Sequence, residues 1–167
     1  MSKNPSILVL AFKTYIIPIL EYCSPVWSPH NLVDVRRIES VQRLFTKKLQ
    51  GYEGQSYPAR LERAKLCTLE LRRVWADLCL CYNILHKNVD TTISDFFQIE
   101  TLSQTRGHSW KLKSFVPRLD SRLNFFSYRV TNIWNSLSEK TVSANSIVAF
   151  KNCLKSEPLD RFLVIKD

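Results

Sequence analysis

With 167 residues, 45% of them hydrophobic, the chain is long enough to bury a substantial core and too apolar for wholesale disorder. Its three glycines, Gly51, Gly54 and Gly107, are too few for a hairpin-rich all-β fold or a glycine-rich phosphate loop. The net charge of +9 sits at the two ends, +4 over residues 1–50 and +6 over 101–167, against −1 between them. Such a surface suits a polyanion, either nucleic acid or an anionic membrane, with a plain solvated surface as the alternative.

In chain order, Leu8, Phe12, Tyr15, Ile19 and Tyr22 fall on one face of a first helix, about Ser6 to Cys23. Pro18 is expected to bend it, and Pro25 and Pro29 turn residues 24–30 into a corner with Trp27 plugged into it. A second helix opens at Asn31, with Leu32, Val35, Ile38, Val41, Phe45 and Leu49 as its apolar stripe. Arg36, Ser40, Arg43 and Lys47 line another face, with Arg37 and Lys48 alongside, and Gly51 and Gly54 end the run.

A short helix over 57–66 and a longer one over 69–86 follow, and Phe96, Phe97 and Ile99 are expected against the core. From His108 to Lys113 the period changes to alternation, Trp110 and Leu112 against Lys111 and Lys113, which reads as a strand. An amphipathic helix is expected over 122–137, faced by Leu123, Phe126, Val130, Ile133, Trp134 and Leu137, and a last one over 145–154. The fold class is therefore mainly α, with about five or six packed helices and one short strand or hairpin near residues 105–116, in a single domain over 1–167.

Catalytic and metal constellations are not apparent. No Gly-x-Ser-x-Gly elbow, His-Glu-x-x-His pair or adjacent aspartates occur, so no catalytic residue, metal ligand or cofactor site is assigned. Cys79 and Cys81, two positions apart on a helix, point about 200° apart and suit burial better than sharing an ion with Cys67 and His86. Cys23 has only His30 as a nearby base, and a core position is the expected one. For His108, beside Arg106, a phosphate contact and a plain surface position are both open.

Five cysteines without framework spacing favour a reduced intracellular setting, nuclear or cytoplasmic, and no signal peptide is recognised at the N-terminus. The apolar stretch from Ile7 to Leu20, interrupted by Lys13, is shorter than the roughly 20 residues of a membrane span, so no membrane role is expected.

The segment Phe12 to Pro29, FKTYIIPILEYCSPVWSP, resembles the region just beyond the catalytic palm in reverse transcriptases of non-LTR (LINE-type, jockey-like) retrotransposons. In the same order, Ile38–Lys47, Leu69–Arg73 with Asp77-Leu and Tyr82–Leu85, Thr105–Ser109 with Lys111-Leu, Asn124–Val130 with Ile133–Leu137, and Ser146–Lys151 resemble later segments of that family, so that the likeness runs from about Ile7 to Phe162. The resemblance implies a thumb over residues 1–50 and a post-thumb helical region over 51–167, without the palm or the endonuclease. Met1 is then expected to be a start inside a truncated element.

No residues match the family's aromatic-Ala-Asp-Asp motif, whose aspartates hold the catalytic metals, so the chain is expected to be no enzyme although the parent activity is RNA-directed DNA polymerase. A thumb implies backbone contacts to RNA or an RNA–DNA duplex. The residues suited to them are Arg36, Arg43, Lys47 and Lys48 on the second helix, then Arg106, Lys111, Lys113, Arg122 and Arg129. Trp110, Phe125 and Tyr128 have rings fit to stack on bases, although Trp110 and Phe125 are expected in the core. The alternative is a helical protein-interaction module, or a remnant with no nucleic-acid role, whose exposed apolar face meets a reverse transcriptase palm or another protein.

Overall fold

The computed structural model describes residues 4–100, 107–115 and 120–166 and is mainly helical. It divides into two compact units, Met1–Arg73 with Leu163–Asp167, and Val74–Phe162.

In the first unit, α1 (Pro5–Ala11) runs through a π-helical turn (Phe12–Ile16) into α2 (Ile17–Glu21). Asn4 caps the start by accepting from the Ser6 amide at 2.9 Å. The π turn lies just before Pro18, which has no N–H to give to the helix; the Ile17 amide bonds back to the Phe12 carbonyl, five residues earlier. One extra residue per turn rotates everything after it. Val9, Phe12 and Ile17 are buried, whereas Tyr15, Ile19 and Tyr22, expected on the same inward face as Phe12, are 69%, 73% and 77% exposed.

The corner after α2 is itself helical, α3 (Ser24–Trp27), entered through Cys23 at φ 52°. Trp27 does not plug it. Its ring is exposed, and it pins the joint by donating Nε1–H to the Tyr22 carbonyl at 2.6 Å.

Helix α4 (Leu32–Lys47) is sixteen residues long, and its buried face is mostly polar: Val35, Glu39, Gln42 and Thr46. Val41, expected in the apolar stripe, is exposed, as are Val33 and Leu44. Phe45 stacks on Phe12, centroids 4.1 Å apart, and joins Val9, Leu49, Tyr52 and Ala64 in the apolar core. Helix α5 (Tyr57–Ala64), capped by Ser56, ends in the left-handed Lys65, whose carbonyl accepts from Lys13 Nζ at 3.1 Å.

Helix α6 (Leu69–Leu85) contains the boundary between the units. The second unit continues with α7 (Ile93–Phe96), α8 (Asp120–Leu123), α9 (Phe126–Asn135), α10 (Glu139–Val142), α11 (Ile147–Leu154) and a 3₁₀ turn (Leu159–Phe162). The helix expected over 122–137 is broken, because Phe125 takes an extended conformation (ψ 147°) as the N-cap of α9. Ser146 caps α11 by accepting from the Ala149 amide at 3.1 Å.

The alternating stretch near 108–113 forms a single antiparallel bridge, Ile99 to Leu112, rather than a longer strand among the described residues. Glu100 N–H donates to the Lys111 carbonyl and Lys113 N–H to the Gln98 carbonyl, each at 2.8 Å. On its other edge the Asn135 side-chain amide pairs with both backbone groups of Leu112, at 2.8 and 2.7 Å, as a second strand would.

The core of this unit is a run of rings. Trp110 lies on His86 (4.9 Å), His86 on Tyr82 (4.0 Å), Tyr82 on Phe150 (4.5 Å), and Phe150 beside Trp134 (5.9 Å).

Candidate nucleic-acid interface

Around α4, the inward polar face is held by one buried carboxylate. Glu39 accepts from the Leu69 and Glu70 amides at 3.2 and 3.3 Å, so it caps α6 where the helix dipole favours negative charge. Tyr57 donates its hydroxyl to Glu39, and burial together with that bond pushes the phenol pKa far up. Gln42 Nε2 donates to the Tyr57 hydroxyl at 3.0 Å and to the Cys67 carbonyl at 2.9 Å. Glu70 in turn accepts from the Val164 and Ile165 amides, tying the C-terminal segment to the unit. Glu21 and Arg72 make a two-pronged ion pair, Nη2 to Oε2 at 2.9 Å.

With its inner face locked in this way, α4 holds its outward cations on a rigid rod. Arg36, Lys47 and Lys48 are exposed. Arg43 is half-buried, its guanidinium 4.1 Å from the centre of the Tyr57 ring.

Cations of the second group are placed differently. Arg106 lies outside the described residues. Arg129 is turned inward: Nε and Nη2 each donate to the Asp77 carboxylate at 2.8 Å, and Nη1 donates to the Asn124 carbonyl at 3.0 Å. It joins α9 to α6. Lys111 is half-buried, and its chain runs so close to Gly107 that a Cβ there would collide with it; Gly107, at φ 143°, also holds a backbone shape that disfavours side chains.

Lys113 and Arg122 are exposed and line a single cleft with Phe125 and Tyr128. Phe125, expected in the core, is 56% exposed. As the N-cap of α9 its side chain leaves the helix before the buried stripe begins at Phe126.

His108 belongs to the interior, neither on the surface nor at a phosphate site. It is 4% exposed, and Nε2 lies 3.0 Å from the Trp134 carbonyl, so the neutral ring carries its proton there. Burial lowers its pKa. Ser109 beside it donates its amide and hydroxyl to Glu139 at 2.9 and 3.1 Å. Burial also pushes the Cys67, Cys79 and Cys81 thiols up, away from the thiolate form that reactivity or metal binding needs. Among the described residues no group of three or more His, Cys, Asp or Glu side chains is placed to hold a metal ion, and no helix is long and apolar enough to cross a membrane.

Two features escaped the sequence reading. Glu39, Gln42 and Thr46 recur at helical spacing and so could have been seen as a polar stripe, but nothing local says that it faces inward. Phe115, 45% exposed near Lys113, carries no signal beyond its place in the sequence between Lys113 and Pro117. No protein-family model, curated protein or solved structure matches the chain.

Proposed function

We propose that this chain is a non-catalytic helical module of the reverse-transcriptase kind that grips RNA or an RNA–DNA duplex by its backbone. The observation that carries the reading is the outer side of α4. Arg36 and Lys47, with Lys48 beside it, are exposed on one helix whose inward side, about a quarter-turn away, is fixed by Glu39, Gln42 and Thr46. Arg36 and Lys47 are about 16 Å apart along the axis, the rise of about five base-pair steps. Cations at that interval on a stiff rod suit phosphates several steps apart and carry no base-reading code. The order of family-like segments supports the same reading, and the absence of adjacent aspartates within these residues assigns the chain no polymerase chemistry.

The test is binding of a labelled RNA–DNA duplex over a series of salt concentrations. Affinity should fall with a log–log slope of about −0.9 per phosphate engaged, and absence of binding at low salt removes the reading.

A second reading, a protein-interaction module, is favoured by the apolar stripe of Ile7, Leu10, Tyr15, Ile19 and Tyr22 left exposed on α1, the π turn and α2. It predicts concentration-dependent association in size-exclusion chromatography; a clean monomer at every concentration counts against it.

A further inference from the structure

Resting on that nucleic-acid reading, we infer that the cleft lined by Phe115, Phe125, Tyr128, Lys113 and Arg122 takes one unstacked base of a single strand, with its neighbouring phosphates on the two cations.

The cleft has a volume of about 470 Å³. That falls within the roughly 300–1,000 Å³ of small-ligand sites: room for a base with its sugar, and far too little for a duplex. Its mouth carries two exposed rings. Phe115 and Phe125 are 45% and 56% exposed, although an apolar ring gains by burial. Both stand beside cations: Lys113 Nζ is 5.2 Å from the centre of the Phe115 ring, and Arg122 is three residues before Phe125. Aromatic faces interleaved with Lys and Arg are the composition of a single-strand stacking platform, since every base has a π-face and every linkage a charge.

The walls are firm. The Lys113 amide is tied to the Gln98 carbonyl at 2.8 Å, and Phe96 and Phe97 of the lining pack with Phe126, centroids 5.8 to 6.3 Å apart. Asp95, also in the lining, repels phosphate but is an acceptor for a base N–H. An apolar peptide would use the rings and leave the two cations with only Asp95 for counter-charge, which is why the nucleic acid is the better occupant.

The test uses the full chain with a labelled twelve-nucleotide single-stranded RNA and with an RNA–DNA duplex of the same length. Phe115→Leu with Phe125→Leu keeps the apolar bulk and removes the π-faces; both sites are exposed, and a thermal melt by circular dichroism checks that the fold persists. A ten- to hundred-fold loss of single-strand affinity is expected, with duplex affinity unchanged. Lys113→Ala with Arg122→Ala should lower the single-strand salt slope by about 1.4. Unchanged single-strand affinity in the leucine variant, with duplex binding intact, overturns the cleft assignment and leaves the duplex reading standing. The same holds if an uncharged apolar peptide binds the wild-type chain, is lost in the leucine variant and is not displaced by the RNA. Absence of binding to either nucleic acid removes both.

Discussion

Both units bury apolar side chains, but they differ in what else their interiors carry. Around α4 the first unit turns Glu39, Gln42 and Thr46 inward and leaves Val33, Val41 and Leu44 outside. The second unit buries rings, Trp134, Tyr82 and Phe150, and keeps its polar side chains to specific ties such as Asn135 on Leu112. The difference lies in what each core must accomplish. Ring stacking needs only apolar contact, whereas the amides that open α6 need an acceptor, which no apolar side chain supplies. A polar inward face of that kind leaves the apolar Val33, Val41 and Leu44 of the same helix at the surface.

The largest effect expected from breaking this contrast is at Glu39. Glu39→Ala leaves the Leu69 and Glu70 amides and the Tyr57 hydroxyl without their acceptor, and should cost about 3 to 5 kcal/mol in chemical denaturation. Wild-type stability in that variant would mean the network is not holding α4. In the second unit, Arg129→Ala abandons the largely buried Asp77 carboxylate and should cost about 3 kcal/mol, whereas Arg129→Ala with Asp77→Ala should recover part of it.

A smaller effect follows from acid. Because the folded pKa of His108 lies below the ordinary 6.5, the unfolded chain takes up the proton first as pH falls. Stability is therefore intact above pH 6.5 and declines from there down to the depressed folded value. Glu157, which burial alone would raise, is held below its ordinary 4.5 by bonds from Ser138 and Thr141; its contribution is lost at still lower pH. Melting temperatures at pH 7.5 and 5.5 should show the first decline, and His108→Gln should flatten it. The smallest expected change is at the stripe: Ile19→Ser with Tyr22→Ser should move stability by less than about 0.5 kcal/mol while reducing self-association in size-exclusion chromatography.

Much of the helical layout was legible because it is local. The spacing along α4 and α6 and the glycines after α4 place elements near their observed limits. The inward face was less legible. Pro18 signals a disturbance, but not that it is met by a π turn, which rotates Tyr15, Ile19 and Tyr22 to solvent. Glu39 carries no local sign that it caps the amides of Leu69 and Glu70, thirty residues away. The cations divide on the same ground. Arg36, Lys47 and Lys48 keep the outward positions that helical spacing gives them, while Arg129 is drawn inward by Asp77, a partner 52 residues distant.

The grip on α4 is tested most directly by the salt dependence of RNA–DNA duplex binding, measured for the wild type and for Arg36→Ala with Lys47→Ala and Lys48→Ala. These side chains are exposed, so the fold should persist, and the log–log slope should fall by about 2 to 3. An unchanged slope, with the duplex still bound, would contradict the assignment of this ridge to the phosphate backbone.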